Sequence, residues 1–288
     1  MITNPYSQFT SAAFENVGAG KTAFVQIPFG PEYPALMLDY DSDGDSDPLI
    51  TEIDAVRLML NSDTAWELSA SELNTINQGN GYAAAANGRI ILPFVPKLNN
   101  TNAAQELRNL TALRTGEGMA LQPDGTLAPY SLRDVRLEVD IAAAATAPTL
   151  RMQLWQRNPD WANEIRFIRR LRKSTRSLGS GVNQIVDIPK SGLLGSIRAV
   201  HVFHSNVTDF KLTFGGTSKV REGKAADSAP FDDMFGYSQV SGCLSIYANH
   251  WNMINYNVLN ETHMELELTT SGTDTVQIVT DTVAPLAA

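Results

Sequence analysis

The chain has 288 residues, with 22 lysines and arginines against 31 aspartates and glutamates. That length gives one large domain or two ordinary ones, and 43% apolar with 18% charged residues supports a real core rather than a disordered tail. A formal charge of −9 argues against a dedicated nucleic-acid binder, and the single cysteine, Cys243, excludes an internal disulfide framework and a cysteine zinc site. No stretch approaches the roughly 18 to 20 apolar residues that span a bilayer. The polar start, Met1 to Asn16, lacks the basic head and apolar centre of a secretory signal. The expectation is a soluble protein with no export address.

Short apolar runs punctuated by turn formers predict strands at Thr22 to Phe29, Pro34 to Tyr40, Ile53 to Asn61, Ala65 to Leu68 and Arg89 to Val95. The same pattern returns at Val135 to Ala142, Leu150 to Arg157, Gln184 to Ile188, Ile197 to His204 and Asp209 to Phe214. Cys243 to Ala248, Met264 to Thr270 and Thr275 to Val283 complete the set. Helices are expected at Ala70 to Asn77, where Ser69 and Glu72 form a capping box, and at Ala103 to Asn109. The fold class is all-β with short helical inserts.

An internal repeat organises these strands. Ile53 to Leu68 aligns without gaps on Ile197 to Leu212, with Ile53, Ala55, Val56, Thr64 and Leu68 matched by identical residues, 144 positions apart. Each copy follows an Ile-Pro pair, Ile27-Pro28 and Ile188-Pro189. Each half also closes on a similar hairpin pattern, Arg136 to Ile141 with Leu150 to Trp155, and His263 to Leu268 with Val276 to Thr280. Eight or so strands in about 150 residues is the size of a jelly roll, so the expectation is two tandem eight-stranded jelly rolls. The first would cover 1–160 with an N-terminal arm, the second 161–288. In the first copy Val56, Leu58 and Leu60 should face one way and Arg57 and Asn61 the other. Val56 and Val200 should sit in equivalent strands, and the arm should cross to a neighbouring copy.

Catalytic patterns are weak. Gly18-Ala-Gly-Lys-Thr22 resembles the end of a phosphate loop, but Glu15 stands where the first glycine belongs and a strand follows. His201 and His204, three apart on a strand, point to opposite faces and cannot share a metal. His250 and His263 have no motif partner, and no Gly-x-Ser-x-Gly elbow exists. No catalytic residue and no bound cofactor are expected.

Two charged segments stand out. Asp39, Asp41, Asp43, Asp45 and Asp47 alternate around Gly44 as in the start of a calcium loop, although Ile50 occupies the place of the closing glutamate. Structural calcium, a basic neighbour across a subunit boundary, and a solvated turn all satisfy that pattern. The complementary segment runs from Arg166 to Arg176 and holds Arg166, Arg169, Arg170, Arg172, Lys173 and Arg176. It reads as a docking strip for lipid headgroups, packaged nucleic acid or an acidic neighbour, or as the charged face of a strand at a domain junction.

Several blocks carry a family resemblance. They are Tyr33 to Leu38, Ile50 to Leu60 followed by Leu73 to Asn77, Ile91 to Phe94, Gly181 to Pro189 and Ile197 to Phe203. In these the chain resembles the double jelly-roll major capsid proteins of tailless, membrane-containing icosahedral bacteriophages, corticovirus and autolykivirus coat proteins among them. The resemblance implies a homotrimer forming a pseudo-hexagonal capsomer, tiled with its neighbours over an internal lipid membrane that encloses the DNA. It implies as partners the chain itself, penton proteins, and minor capsid or membrane proteins, with contact to the internal viral membrane and no specific nucleic acid. It places the protein in the virion after synthesis in the bacterial host cytoplasm. Calcium is structural in some members, but no ligand carries over by position. The competing readings are a secreted carbohydrate-binding or adhesin β-sandwich and a glycan-processing enzyme.

Overall fold

A computed structural model describes residues 6–30, 32–43, 48–94, 112–121, 125–157, 167–188, 196–214, 218–233, 236–247 and 264–285. The chain divides into two compact units, one of residues 1–77, 83–169 and 285–288, the other of 78–82 and 170–284. The division thus falls between Arg169 and Arg170. The expected boundary at 160/161 and the helix expected at Ala103 to Asn109 lie outside the described residues.

In the first unit eight strands make two sheets. They are β1 (Tyr6–Ala13), β2 (Thr22–Gln26), β3 (Glu32–Asp41), β4 (Ile53–Leu60), β5 (Asp63–Leu68), β6 (Arg89–Pro93), β10 (Val135–Ile141) and β11 (Thr149–Arg157). One sheet runs β6-β3-β11-β1, the other β5-β4-β10-β2, all antiparallel. Between β6 and β10 lies an insertion containing β7 (Leu113–Arg114), which pairs with β3, and the ribbon β8 (Gly116–Leu121) with β9 (Leu127–Leu132). Helix α1 (Pro48–Glu52) precedes β4, and α2 (Ala70–Gly79) follows β5. The capping box forms at α2: the Glu72 N–H donates to Ser69 Oγ at 3.2 Å and the Ser69 N–H to Glu72 Oε2 at 2.8 Å.

Alternation places the core. Val56, Leu58 and Leu60 of β4 are buried, as are Val135, Leu137, Val139 and Ile141 opposite them on β10. On the outer face Arg57 reaches Glu67 Oε1 at 3.0 Å and Asp140 Oδ1 at 3.0 Å, as the predicted orientation of this strand requires. Asp140 also accepts from Thr22 Oγ1 at 2.7 Å. Partial burial opposes its charge, but the hydrogen bonds from Arg57 and Thr22 hold its carboxyl below the usual range. Tyr33 lies in this core with its hydroxyl on the Pro28 carbonyl at 2.9 Å, and burial pushes its pKa up to about 12.

The second unit uses β12 (Phe167–Leu178, whose first three residues belong to the first unit), β13 (Gly181–Ile185), β14 (Ser196–Phe203), β15 (Val207–Phe214), β16 (Ser218–Lys224), β17 (Cys243–Tyr247), β18 (Met264–Thr270) and β19 (Asp274–Pro285, whose last residue belongs to the first). Its sheets run β17-β14-β19-β12 and β13-β18-β15-β16. A short helix, α3 (Ser228–Asp233), lies between β16 and β17. Val200, Val202, Leu212, Leu244, Ile246, Leu266, Leu268, Val276 and Ile278 fill the space between the two sheets.

Numbered by their place in each unit, both sets of eight strands follow one rule: sixth-third-eighth-first in one sheet and fifth-fourth-seventh-second in the other. That is a jelly roll twice over, as expected. Three expectations need correction. First, Val56 lies in a fourth strand and Val200 in a third, so the matched blocks are one strand out of step. β4 and β5 form a hairpin in one sheet, whereas β14 and β15 lie in opposite sheets. The equivalences that hold are the Ile-Pro pairs, each after a second strand, and the closing seventh and eighth strands. Second, those closing strands are not hairpins: β10 and β11 belong to different sheets, as do β18 and β19. Third, Tyr6–Ala13 of the expected arm form a strand of the first unit's own sheet. It pairs with β11 of its own chain, from Tyr6 opposite Arg157 to Ala13 opposite Arg151.

Candidate functional site: assembly surfaces

The groups that chemistry would need are spent on structure. At Gly18 to Thr22 the Gly20 N–H donates to the Ala142 carbonyl at 3.2 Å and the Lys21 N–H to Gly18 at 3.1 Å, so these amides do not cradle an anion. His201 is buried, with Nδ1 2.9 Å from Ser245 Oγ and its ring edge-on to Tyr247 at 5.9 Å. His204, half-buried, accepts the Val207 N–H on Nδ1 at 3.2 Å. Burial lowers its pKa, with Asp274 opposing. Cys243 is buried, and burial pushes its thiol up to about 12. His250 and His263 lie outside the described residues.

The acidic stretch spans the exit from β3. Asp39 sits on the strand, its carboxylate 3.4 Å from Arg89 Nε on the neighbouring β6. Asp41 ends the strand and is exposed, as is Asp43, whose N–H donates to the Thr146 carbonyl at 2.9 Å. Asp45 and Asp47 lie outside the described residues. Among the described residues no three His, Cys, Asp or Glu side chains are grouped so as to hold a metal ion.

The basic segment is strand β12, and its alternation separates the cations. Arg169 is buried in the first unit: Nη1 donates to the Pro93 carbonyl at 2.9 Å and the guanidinium lies 5.6 Å from the Trp66 ring centre. Arg169 therefore anchors packing and is not part of a surface strip, which corrects its expected role. Arg170, Arg172 and Arg176 are half-buried, and Arg176 pairs with Asp187. Lys173 is exposed on the other face of the strand, and Arg166 lies outside the described residues.

Sequence reasoning missed the apolar surface. Four large apolar side chains among the described residues stand out in solvent: Phe29 at 58% exposure, Leu127 at 47%, Val182 at 65% and Val186 at 67%. Phe29 and Leu127 belong to the first unit. Phe29 lies after β2 with its ring 3.5 Å from where a Gly116 Cβ would stand, and Leu127 opens β9. Val182 and Val186 lie on and just after β13 of the second. The ribbon β8-β9 closes tightly on itself, because a Cβ on Gly118 would stand 2.6 Å from the Tyr130 ring. Its signal in the sequence was Pro123-Asp124-Gly125, a turn-forming sequence between two short apolar runs.

Two sheets of antiparallel strands, repeated with the same order in both units, define the double jelly-roll fold of viral capsid proteins. The chain is similar to the major capsid protein P2 of bacteriophage PM2 at 20% identity and a TM-score of 0.78, covering 97% of this chain and 98% of that one. It is similar to the STIV MCP at 9% identity and 0.62, over 96% and 97%, and to the capsid of PBCV-1 virus at 10% and 0.57, over 100% and 97%. No curated protein matches it by sequence. The family model for the viral coat protein P2 N-terminal domain matches residues 10–156, and the chain belongs to that family. It is a viral coat protein, a component of the virion capsid. The adhesin reading gains no support.

Proposed function

We propose that this coat protein is the major capsid protein of an icosahedral bacteriophage shell and works as a homotrimer. The observation that carries this is the repeated strand order: each chain brings two rolls of one topology. Three chains then supply six similar lobes, a pseudo-hexagon that tiles a surface with one gene product. The role is structural rather than catalytic, in keeping with a histidine and a cysteine that are both packed into β-sheet. Penton proteins, minor capsid or membrane proteins and an internal lipid layer are the further partners this reading brings with it.

The acidic exit from β3, with Asp41 and Asp43 exposed, is then a charged contact of the shell, either with a basic neighbour or with calcium bound at the weak end, roughly 10⁻⁴ to 10⁻³ M. A melting temperature raised by millimolar calcium in the wild type and not in Asp41→Asn with Asp43→Asn would support the cation. An equal response in both proteins would exclude this segment.

The test of the trimer is mass in solution. Light scattering at micromolar concentration should return three times the 31.4 kDa of one chain. A mass of one chain throughout the micromolar range would overturn the reading.

A further inference from the structure

Among the described residues, two sheet edges carry large apolar side chains in solvent: β13 and the ribbon β8-β9. β13 is the outermost strand of the sheet β13-β18-β15-β16, so beyond its pairing with β18 one edge has no strand beside it among the described residues. It carries the exposed Val182, with the exposed Val186 four residues on. An exposed edge strand with apolar side chains is a template for another strand, and proteins that keep such edges free usually place charge or proline there. Neither Val182 nor Val186 is such a residue. The second structure is the ribbon β8-β9, a two-stranded sheet with both outer edges open among the described residues. Two strands alone are marginal in water. The ribbon shows Leu127 at the start of β9, and Phe29 packs over Gly116 where β8 begins.

We infer that these two features meet between copies: the β8-β9 ribbon of one chain lies along the β13 edge of the next, adding its strands to that sheet. The inference deepens the trimer proposed above and rests on it. A second copy is the occupant because the chain already carries both halves of the match, each on a different unit. A contact between unlike patches passes from chain to chain and closes into a ring when the rotation allows, whereas a two-fold contact would use one patch twice. Main-chain hydrogen bonds supply the adhesion, and Val182 and Val186, four residues apart on one side of the chain, supply the register. Burying Val182 and Val186 against Leu127 would also remove three of the four exposed large apolar side chains from water.

The test uses the full chain. Val182→Lys with Val186→Lys changes only exposed side chains, so at concentrations where both proteins are dissociated its melting should match the wild type, while the concentration for trimer dissociation rises roughly tenfold or more. Leu127→Lys should act in the same direction. In a Cys243→Ser background, chains carrying Val182→Cys mixed with chains carrying Leu127→Cys should join through a short bis-maleimide, and neither should join alone. A wild-type trimer whose dissociation is unchanged by the lysines, with no cross-link in the mixture, would overturn the contact and leave the trimer standing. Cross-linking of Val182→Cys to itself would replace it with a two-fold contact. A monomeric wild type would overturn the trimer and this contact together.

Discussion

The indole N–H of Trp66 donates to the main-chain carbonyl of Arg169 at 2.6 Å, and the side chain of the same arginine lies 5.6 Å from the Trp66 ring centre. Two residues 103 positions apart thus satisfy each other in a buried site, with Phe94 tilted against the indole at 5.0 Å. A charged group enters a core only when its donors find acceptors, and here the Pro93 carbonyl takes Nη1. Arg169→Gln should therefore destabilise the protein by about 2 to 3 kcal/mol, because it empties the site over the indole and leaves an acceptor unpaired. Lys173→Gln, on an exposed side chain of the same strand, should stay within about 0.5 kcal/mol. Urea unfolding followed by tryptophan fluorescence checks both.

The cap of α2 makes an independent prediction. Ser69→Ala removes the acceptor for the Glu72 N–H and should cost about 1 kcal/mol, while Ser69→Asp should keep most of the stability. Equal melting temperatures for wild type and Ser69→Ala would show that packing of Leu73 and Ile76 alone holds the helix.

Acid should weaken the outer face of the first unit. The Asp140 carboxyl is held below its usual pKa in the folded chain, so its contribution is present above the unfolded value and is lost as pH falls through the folded one. Asp140→Asn should be less stable than wild type at pH 7, and the gap should shrink as pH falls from about 5 towards 2. A gap that is constant over that range would mean that Asp140 contributes no charge to the fold.

Cys243 should be silent. Its thiol is buried between β-strand neighbours and raised to about 12, so a disulfide reagent at pH 8 should find it unreactive in the folded protein. In denaturant it should react at once and stoichiometrically. Rapid labelling of the native protein would contradict the burial.

Much of the fold was legible in the sequence because amphipathic strands announce themselves. Val56, Leu58 and Leu60 alternate with Arg57 and Met59, and the structure buries the first three. The topology was less legible for the same reason. Alternation says that a strand has one buried face but not which sheet it joins, so a fourth and a third strand aligned as though equivalent. The connection decides that question. Asn61 takes the left-handed conformation, φ 53°, and turns β4 back on itself within two residues, whereas the three residues His204 to Asn206 carry the chain to the opposite sheet. The basic segment misled in a related way: a run of arginines looks like one surface, but successive side chains of a strand point to opposite faces. Arg169 and Lys173 fall on one face and Arg170, Arg172 and Arg176 on the other, and along the first face burial ends between Leu171 and Lys173. That β13 and β8-β9 carry exposed apolar side chains at edges with no further strand among the described residues could not be seen in the sequence, since an edge depends on which strands pair elsewhere.

In the proposed assembly, two rolls of one topology make each chain one third of a pseudo-hexagonal capsomer. Electron-microscopy class averages of the purified protein test it most directly. The particles should show a three-fold axis and six lobes of similar size. Particles with two lobes and no rotational symmetry, at concentrations where the protein is soluble and folded, would contradict it.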